Sequence, residues 1–229
     1  MAVFAISDLH LSLGTDKPMN VFGEVWDGYE EKLKNNWNQI VAKDDTVIVC
    51  GDISWAMYLE NAGADFAYIN ELNGRKLISK GNHDYWWSTV KKQREFIMGH
   101  GFCNIDFLHN NAFLADNIAI CGTRGWLAYD ACKTDEDKKI YNRELERFEL
   151  SAKCMDSSAN FRIAALHYPP DGNFAELFKK YAINVCVFGH LHAKAQNYAK
   201  QGVFDGTLHK LVSCDYLDFT PMNIRPGII

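Results

Sequence analysis

Five times in this chain a short apolar run, rich in β-branched residues, stops and a polar string able to bind metal follows. Ala2-Val3-Phe4-Ala5-Ile6 leads into Ser7-Asp8-Leu9-His10, and the run at 46–50 leads into Gly51-Asp52. The run at 76–79 precedes Gly81-Asn82-His83-Asp84, that at 162–166 precedes His167-Tyr168-Pro169, and that at 184–188 precedes Gly189-His190-Leu191-His192. Such runs have the length and composition of buried strands. Longer helical patterns, at about 21–42, 59–72, 86–98, 135–155 and 173–181, separate them, which predicts an α/β fold with parallel pairing. In the fourth pattern Tyr141, Leu145, Phe148, Ala152 and Met155 share a helical face, and Thr134 or Asp135 can cap its start. Further strands are expected at 112–115, 118–121 and 208–213, with 112–115/118–121 and 195–199/208–213 as antiparallel pairs. Functional groups of open α/β sheets gather beyond the carboxyl ends of strands, which is where the polar strings lie.

No linker-like stretch, low-complexity tract or repeat divides the 229 residues, and 48% are hydrophobic, enough for one large core. The expectation is a single domain over 1–229. A formal charge of −5 with no long block of one sign argues against nucleic acid as a partner, though a small phosphorylated substrate such as a nucleotide remains compatible. The seven cysteines include no C-x-x-C pair and no C-x5-R nucleophile motif, and read as small apolar residues in a reducing compartment. No apolar run approaches the roughly 20 residues that span a bilayer, so no membrane partner is expected. A strand begins almost at the N-terminus with no basic leader before it, and the expected location is the cytoplasm.

Each polar string has an ordinary reading when taken alone. Gly-Asp is a common turn, and a strand-end histidine is more often a hydrogen-bonded core residue than a ligand. Their joint occurrence is what points to chemistry. Five of the eight histidines fall in these strings, and His190 and His192, two apart in an extended segment, project the same way. Carboxylate, imidazole and amide oxygen without thiolate suit a borderline divalent ion such as Mn²⁺, Fe²⁺ or Zn²⁺. No G-x-S-x-G, Walker loop or D-x-D-x-T motif offers another nucleophile.

The ordered strings D-x-H, G-D, G-N-H-D, H and G-H-x-H, spanning residues 8 to 192, resemble the calcineurin-like metallophosphoesterase superfamily. The resemblance implies two packed mixed β-sheets flanked by helices, a four-layer α-β-β-α sandwich. It implies that Asp8, His10 and His192 hold one divalent ion, that Asn82, His167 and His190 hold a second, and that Asp52 bridges them. His83 would be a catalytic non-ligand, with Asp84 fixing its orientation. The implied reaction is hydrolysis of a phosphate monoester or diester by a metal-bridging hydroxide. Departures narrow the match: Trp55 stands where purple acid phosphatases carry tyrosine, and Asp84 stands where protein Ser/Thr phosphatases carry glutamate.

Specificity is expected in the loops of the long interval before His167. Arg124 reads either as a substrate-phosphate ligand or as a turn arginine. The segment 122–155 is a candidate substrate lid. The aromatics Trp55, Tyr58, Tyr85, Trp86, Trp87, Trp126 and Tyr129 read as loop packing first and as a stacking wall second. Rival functions are a nuclease acting on short strands and a metal-loaded interaction scaffold.

Overall fold

Alternation along each strand decides the layering. In a computed structural model, which describes residues 1–227, the first run forms β1 (Val3–Ile6). Val3 and Ala5 point to one side and Phe4 and Ile6 to the other, and all four are buried. A strand buried on both faces must be covered by two different layers.

The first sheet has the order β11 (Met222–Asn223), β1, β2 (Thr46–Val49), β3 (Arg75–Ile78), β4 (Ile105–Phe107), parallel except for β11. The second has the order β5 (Phe113–Ala115), β6 (Ile118–Thr123), β7 (Phe161–Leu166), β8 (Val185–Phe188), β10 (Thr207–Leu211), β9 (Gly202–Phe204). There β6, β7, β8 and β10 run parallel, with β5 and β9 as antiparallel edges. Val3, Ala5, Ile48 and Leu77 of the first sheet share one core with Ile120, Ile163, Val185 and Val187 of the second, so the sheets pack face to face.

Outside the first sheet, Phe4, Ile6, Val47 and Val49 pack with Leu33 and Trp37 of α1 (Tyr29–Ile40), Phe66 and Ile69 of α2 (Gly63–Glu71) and Ile97 of α3 (Val90–Gly99). Outside the second, Cys121, Ala164 and Phe188 pack with Tyr141 and Phe148 of α4 (Asp135–Lys153) and with Phe174 and Phe178 of α5 (Gly172–Lys180). The chain is the α-β-β-α sandwich that the resemblance implied. Among the described residues no helix is long and apolar enough to cross a membrane.

Several expectations need correction. Residues 195–199 are not a strand: 195–198 belong to the 3-10 turn Ala193–Tyr198, which Ala199 caps, and the antiparallel partner of β10 is β9. The long pattern at 21–42 is α-helical only over Tyr29–Ile40; before it lie the short 3-10 turns Met19–Phe22 and Glu24–Trp26, separated by Gly23 (φ 135°) and followed by Gly28 (φ 60°). The edge strands β4 and β11, of three and two residues, are too short for periodicity to reveal. The candidate lid 122–155 divides. Its helix α4 opens with a capping box at Thr134 and Asp137 and buries Tyr141, Phe148 and Ala152 in the outer core. Ser151 Oγ also accepts from Gly122 N at 2.9 Å. This helix is therefore a layer of the sandwich, and before it Gly122 and Thr123 end β6 while Cys132 is buried in the outer core.

Candidate metal centre

Where β1 ends, the chain passes from one sheet to the other. Ser7 N donates to Val212 O at 2.8 Å and Cys214 N donates to Ser7 O at 2.9 Å, while Asp8 N donates to Gly51 O at 2.9 Å. Asp8 thus stands where the carboxyl edges of both sheets meet. Asp52 follows β2, Asn82 follows β3, His167 follows β7, and His190 and His192 follow β8. All seven expected ligands come from this convergence.

Backbone strain marks the same place. Asp8, His10, Asp52 and His190 have φ of 62°, 46°, 53° and 71°. That region is costly for residues with a Cβ and persists where the surrounding structure enforces it, commonly at functional sites. Two motif glycines permit the close approach. A Cβ on Gly81 would overlap the carboxylate and amide of Asp52, and one on Gly189 would overlap Ser7 Oγ and Asp8 Oδ2.

Two groups of ligand atoms gather on this floor: Asp8, His10 and His192, and Asp8, Asp52 and His167. His10 Nε2 lies 3.4 Å from His192 Nε2, which lies 3.4 Å from Asp8 Oδ1. His167 Nε2 lies 2.6 Å from Asn82 Oδ1 and 3.5 Å from Asp52 Oδ2, and His10 Nε2 lies 3.8 Å from that same oxygen. Asp52 therefore sits between the two histidines. The His190 amide donates to both Asp8 oxygens at 3.0 and 3.2 Å, and its ring packs beside His167 and Tyr168, with centroids 5.1 and 4.1 Å away.

Protonation fits this donor set to cations. His167 Nδ1 is 3.0 Å from the Cys50 carbonyl and so carries the proton, which leaves a lone pair on Nε2. That lone pair faces the amide oxygen of Asn82, an arrangement of two acceptors that a cation would satisfy. Burial pushes His167 and His10 down to about 3, so both rings are neutral at pH 7. Burial together with the nearby charges of Asp84 and Asp8 drives Asp52 well up from its usual value. Asp8 moves down despite its burial, through the hydrogen bond from His192 and the fields of His167, His192 and His10. Among the described residues no lysine or arginine nitrogen comes within 4.0 Å of Asp8 or Asp52, whose ion-pairing partners are all histidines. The residues present fit a divalent pair, whose charge would answer the buried carboxylates.

The sequence profile described as "Calcineurin-like phosphoesterase" matches residues 1–194. The chain belongs to the calcineurin-like phosphoesterases. As a member of that family it is a metal-dependent phosphoesterase. Three solved structures show the same fold at low identity. A protein of unknown function from Aquifex aeolicus is 16% identical with a TM-score of 0.52, covering 97% of this chain and 95% of its own. A phosphopantetheinyl hydrolase from Mycobacterium tuberculosis is 13% identical with a TM-score of 0.59, covering 99% and 96%. A Thermus thermophilus protein is 12% identical with a TM-score of 0.55, covering 97% of each chain. No curated protein matches by sequence.

In this phosphoesterase the remaining expected residues sit as follows. The His83 amide donates to Asp52 Oδ1 at 2.7 Å, and its ring lies 4.6 Å from the Trp55 ring and 5.7 Å from His10. Its Nδ1 is buried without a hydrogen-bond partner. Asp84 does not hold that ring. Its carboxylate accepts from the amides of Gly81 (2.7 Å), Ile53 (2.8 Å) and Asp52 (2.9 Å) and from Trp86 Nε1 (3.0 Å). Asp84 therefore ties the Gly81–Asn82 turn to the Asp52 turn, and acts on His83 only through their backbones.

Arg124 is engaged elsewhere. Its guanidinium lies 4.5 Å from the Trp126 ring and 3.7 Å from the buried Glu144, which also pairs with Arg147 at 2.7 Å. Its carbonyl accepts from the amides of His167 and Tyr168 at 3.0 and 2.9 Å, so the backbone of Arg124 sets the position of His167. Arg124→Ala is expected to lower stability by about 1–3 kcal/mol in urea unfolding, because Glu144 loses a buried partner. A higher KM at unchanged stability would restore the phosphate-binding reading.

Sequence reasoning missed Asp215. Its Oδ1 lies 3.0 Å from His192 Nδ1 and its Oδ2 accepts from Gln196 at 2.7 Å, fixing the ring so that Nε2 faces His10 and Asp8. Although burial opposes it, this contact and that of Asp8 raise His192 to about 10. The signal was present: Asp215 closely follows β10, a sixth strand end. Asp215→Ala should weaken the ion at His192 by about 10–100-fold, measured by competition with a metal indicator.

Proposed function

We propose that this phosphoesterase hydrolyses a phosphate ester of a small molecule or nucleotide with two divalent ions, Mn²⁺, Fe²⁺ or Zn²⁺. Asp8, His10 and His192 would hold one ion, Asn82, His167 and His190 the other, and Asp52 would serve both. Such a pair polarises phosphoryl oxygens and makes water acidic enough to attack near neutral pH. The observation that carries this reading is the His167–Asn82 approach, where two lone pairs converge beside the carboxylate of Asp52.

The protein's own groups do the rest. His83, one amide away from Asp52 and with an unpartnered Nδ1, is placed to donate to a phosphoryl or leaving oxygen. Trp55 stacks on His10 at 4.9 Å and tilts against His83, holding both rings and excluding water from that wall. Asp84, bonded to four backbone amides counting Ser54 at 3.4 Å, keeps the two turns in register.

Turnover of an aryl phosphate ester tests the proposal. The protein should hydrolyse it with added Mn²⁺ and lose that activity in excess chelator. No turnover with any of the three ions would overturn it.

A further inference from the structure

The ammonium of Lys17 lies 3.1 Å from the centroid of the Trp55 ring, the same ring that covers His10 and His83. The position is built from both sides. Upstream, Leu13 N donates to Asp65 Oδ1 at 2.7 Å, and the other oxygen of Asp65 takes the Ser54 hydroxyl. Downstream, Met19 is buried and its sulfur accepts from Trp55 Nε1 at 3.1 Å. The loop is thereby fastened to the turn that carries Asp52. Lys17 is half-buried, and among the described residues no carboxylate lies within 4.0 Å of its nitrogen. A cation held over an aromatic face beside a metal floor, without a protein anion, has its charge available for a ligand. Two groups on this wall thus lack a protein partner suited to them, the Lys17 ammonium and His83 Nδ1.

We propose that Lys17 is a substrate-binding residue that grips a non-bridging phosphoryl oxygen, and that it selects dianionic phosphomonoesters over monoanionic diesters. The inference rests on the phosphoesterase reading above and names the substrate class of that site. Its physical basis is that the attraction of one ammonium to a phosphate doubles when the phosphate carries two charges instead of one.

Binding of two small anions to Mn²⁺-reconstituted protein at pH 8 tests this without requiring turnover. Inorganic phosphate stands for the dianion and dimethyl phosphate for the monoanion, both measured by calorimetry. Lys17→Gln should bind phosphate about 10–100-fold more weakly than the wild type, the range for a lost charge-assisted hydrogen bond. Dimethyl phosphate should lose no more than the square root of that factor, and Lys17→Arg should retain most of the phosphate affinity. Metal content should be the same in all three proteins. Equal phosphate binding by wild type and Lys17→Gln would overturn the proposal, as would equal losses for both anions or no phosphate binding by the wild type. Metal loss in Lys17→Gln would overturn it too, since the lysine would then be supporting the centre. A protein that binds phosphate through Lys17 yet hydrolyses no ester would confirm the phosphate contact and overturn the functional reading on which substrate selection rests.

Discussion

Asp52→Asn protein should fold, fail to hold its full metal complement, and lose turnover by on the order of 10³-fold or more. Asp52 Oδ2 lies within 3.8 Å of Nε2 of both His10 and His167, which belong to different ligand groups. One substitution therefore reaches both ions, whereas His10→Ala should chiefly affect one. The amide keeps an oxygen for the His83 amide, so the turn survives. It also removes a buried charge crowded by Asp84 and Asp8. Without metal the variant should consequently be more stable than metal-free wild type; a gain on the order of 1 kcal/mol would raise Tm by about 2–4 °C. Metal analysis on gel-filtered protein and a melting curve in chelator check both halves. Full metal content in Asp52→Asn would show that another group joins the ions.

His83→Ala should behave in the opposite way, keeping its metals and losing kcat by roughly 10²–10⁴-fold. The His83 amide, not its ring, holds Asp52, and alanine retains that amide. What alanine removes is the ring between Trp55 and the floor together with its unpartnered Nδ1. An ester with a good leaving group should lose less, because it needs little protonation as it departs. Equal losses across leaving groups would assign the ring to charge stabilisation alone. Metal loss comparable to that of His190→Ala would make His83 a ligand.

The sandwich and the turns that carry the seven candidate ligands were legible in the sequence because they rest on local signals. Strands buried on both faces read as apolar runs, and the turns beyond them carry glycines that nothing larger could replace, such as Gly81 and Gly189. What was not legible depends on where side chains point. The resemblance implied that Asp84 orients His83, but its oxygens are drawn inward by the amides of the Asp52 turn. Arg124 could be read as a phosphate ligand or as a turn arginine, because Glu144, twenty residues on, gives no sign in the sequence of facing it across α4 and β6. Lys17 lies in a loop without periodicity, and only the fold sets it over Trp55. Trp55 and Trp86 are buried, Trp55 against His10 and His83, while Tyr58 and Tyr85 are exposed.

The proposed function requires one buried floor, built where two sheets meet, to hold two divalent ions. Elemental analysis of chelator-stripped protein reconstituted with Mn²⁺, run beside an aryl phosphate assay on the same samples, tests it most directly. The account predicts no turnover in the stripped protein, two equivalents of bound metal after reconstitution, and activity that returns as the second equivalent binds. Unchanged turnover in protein confirmed to be free of metal, or full activity at a single equivalent, would contradict it.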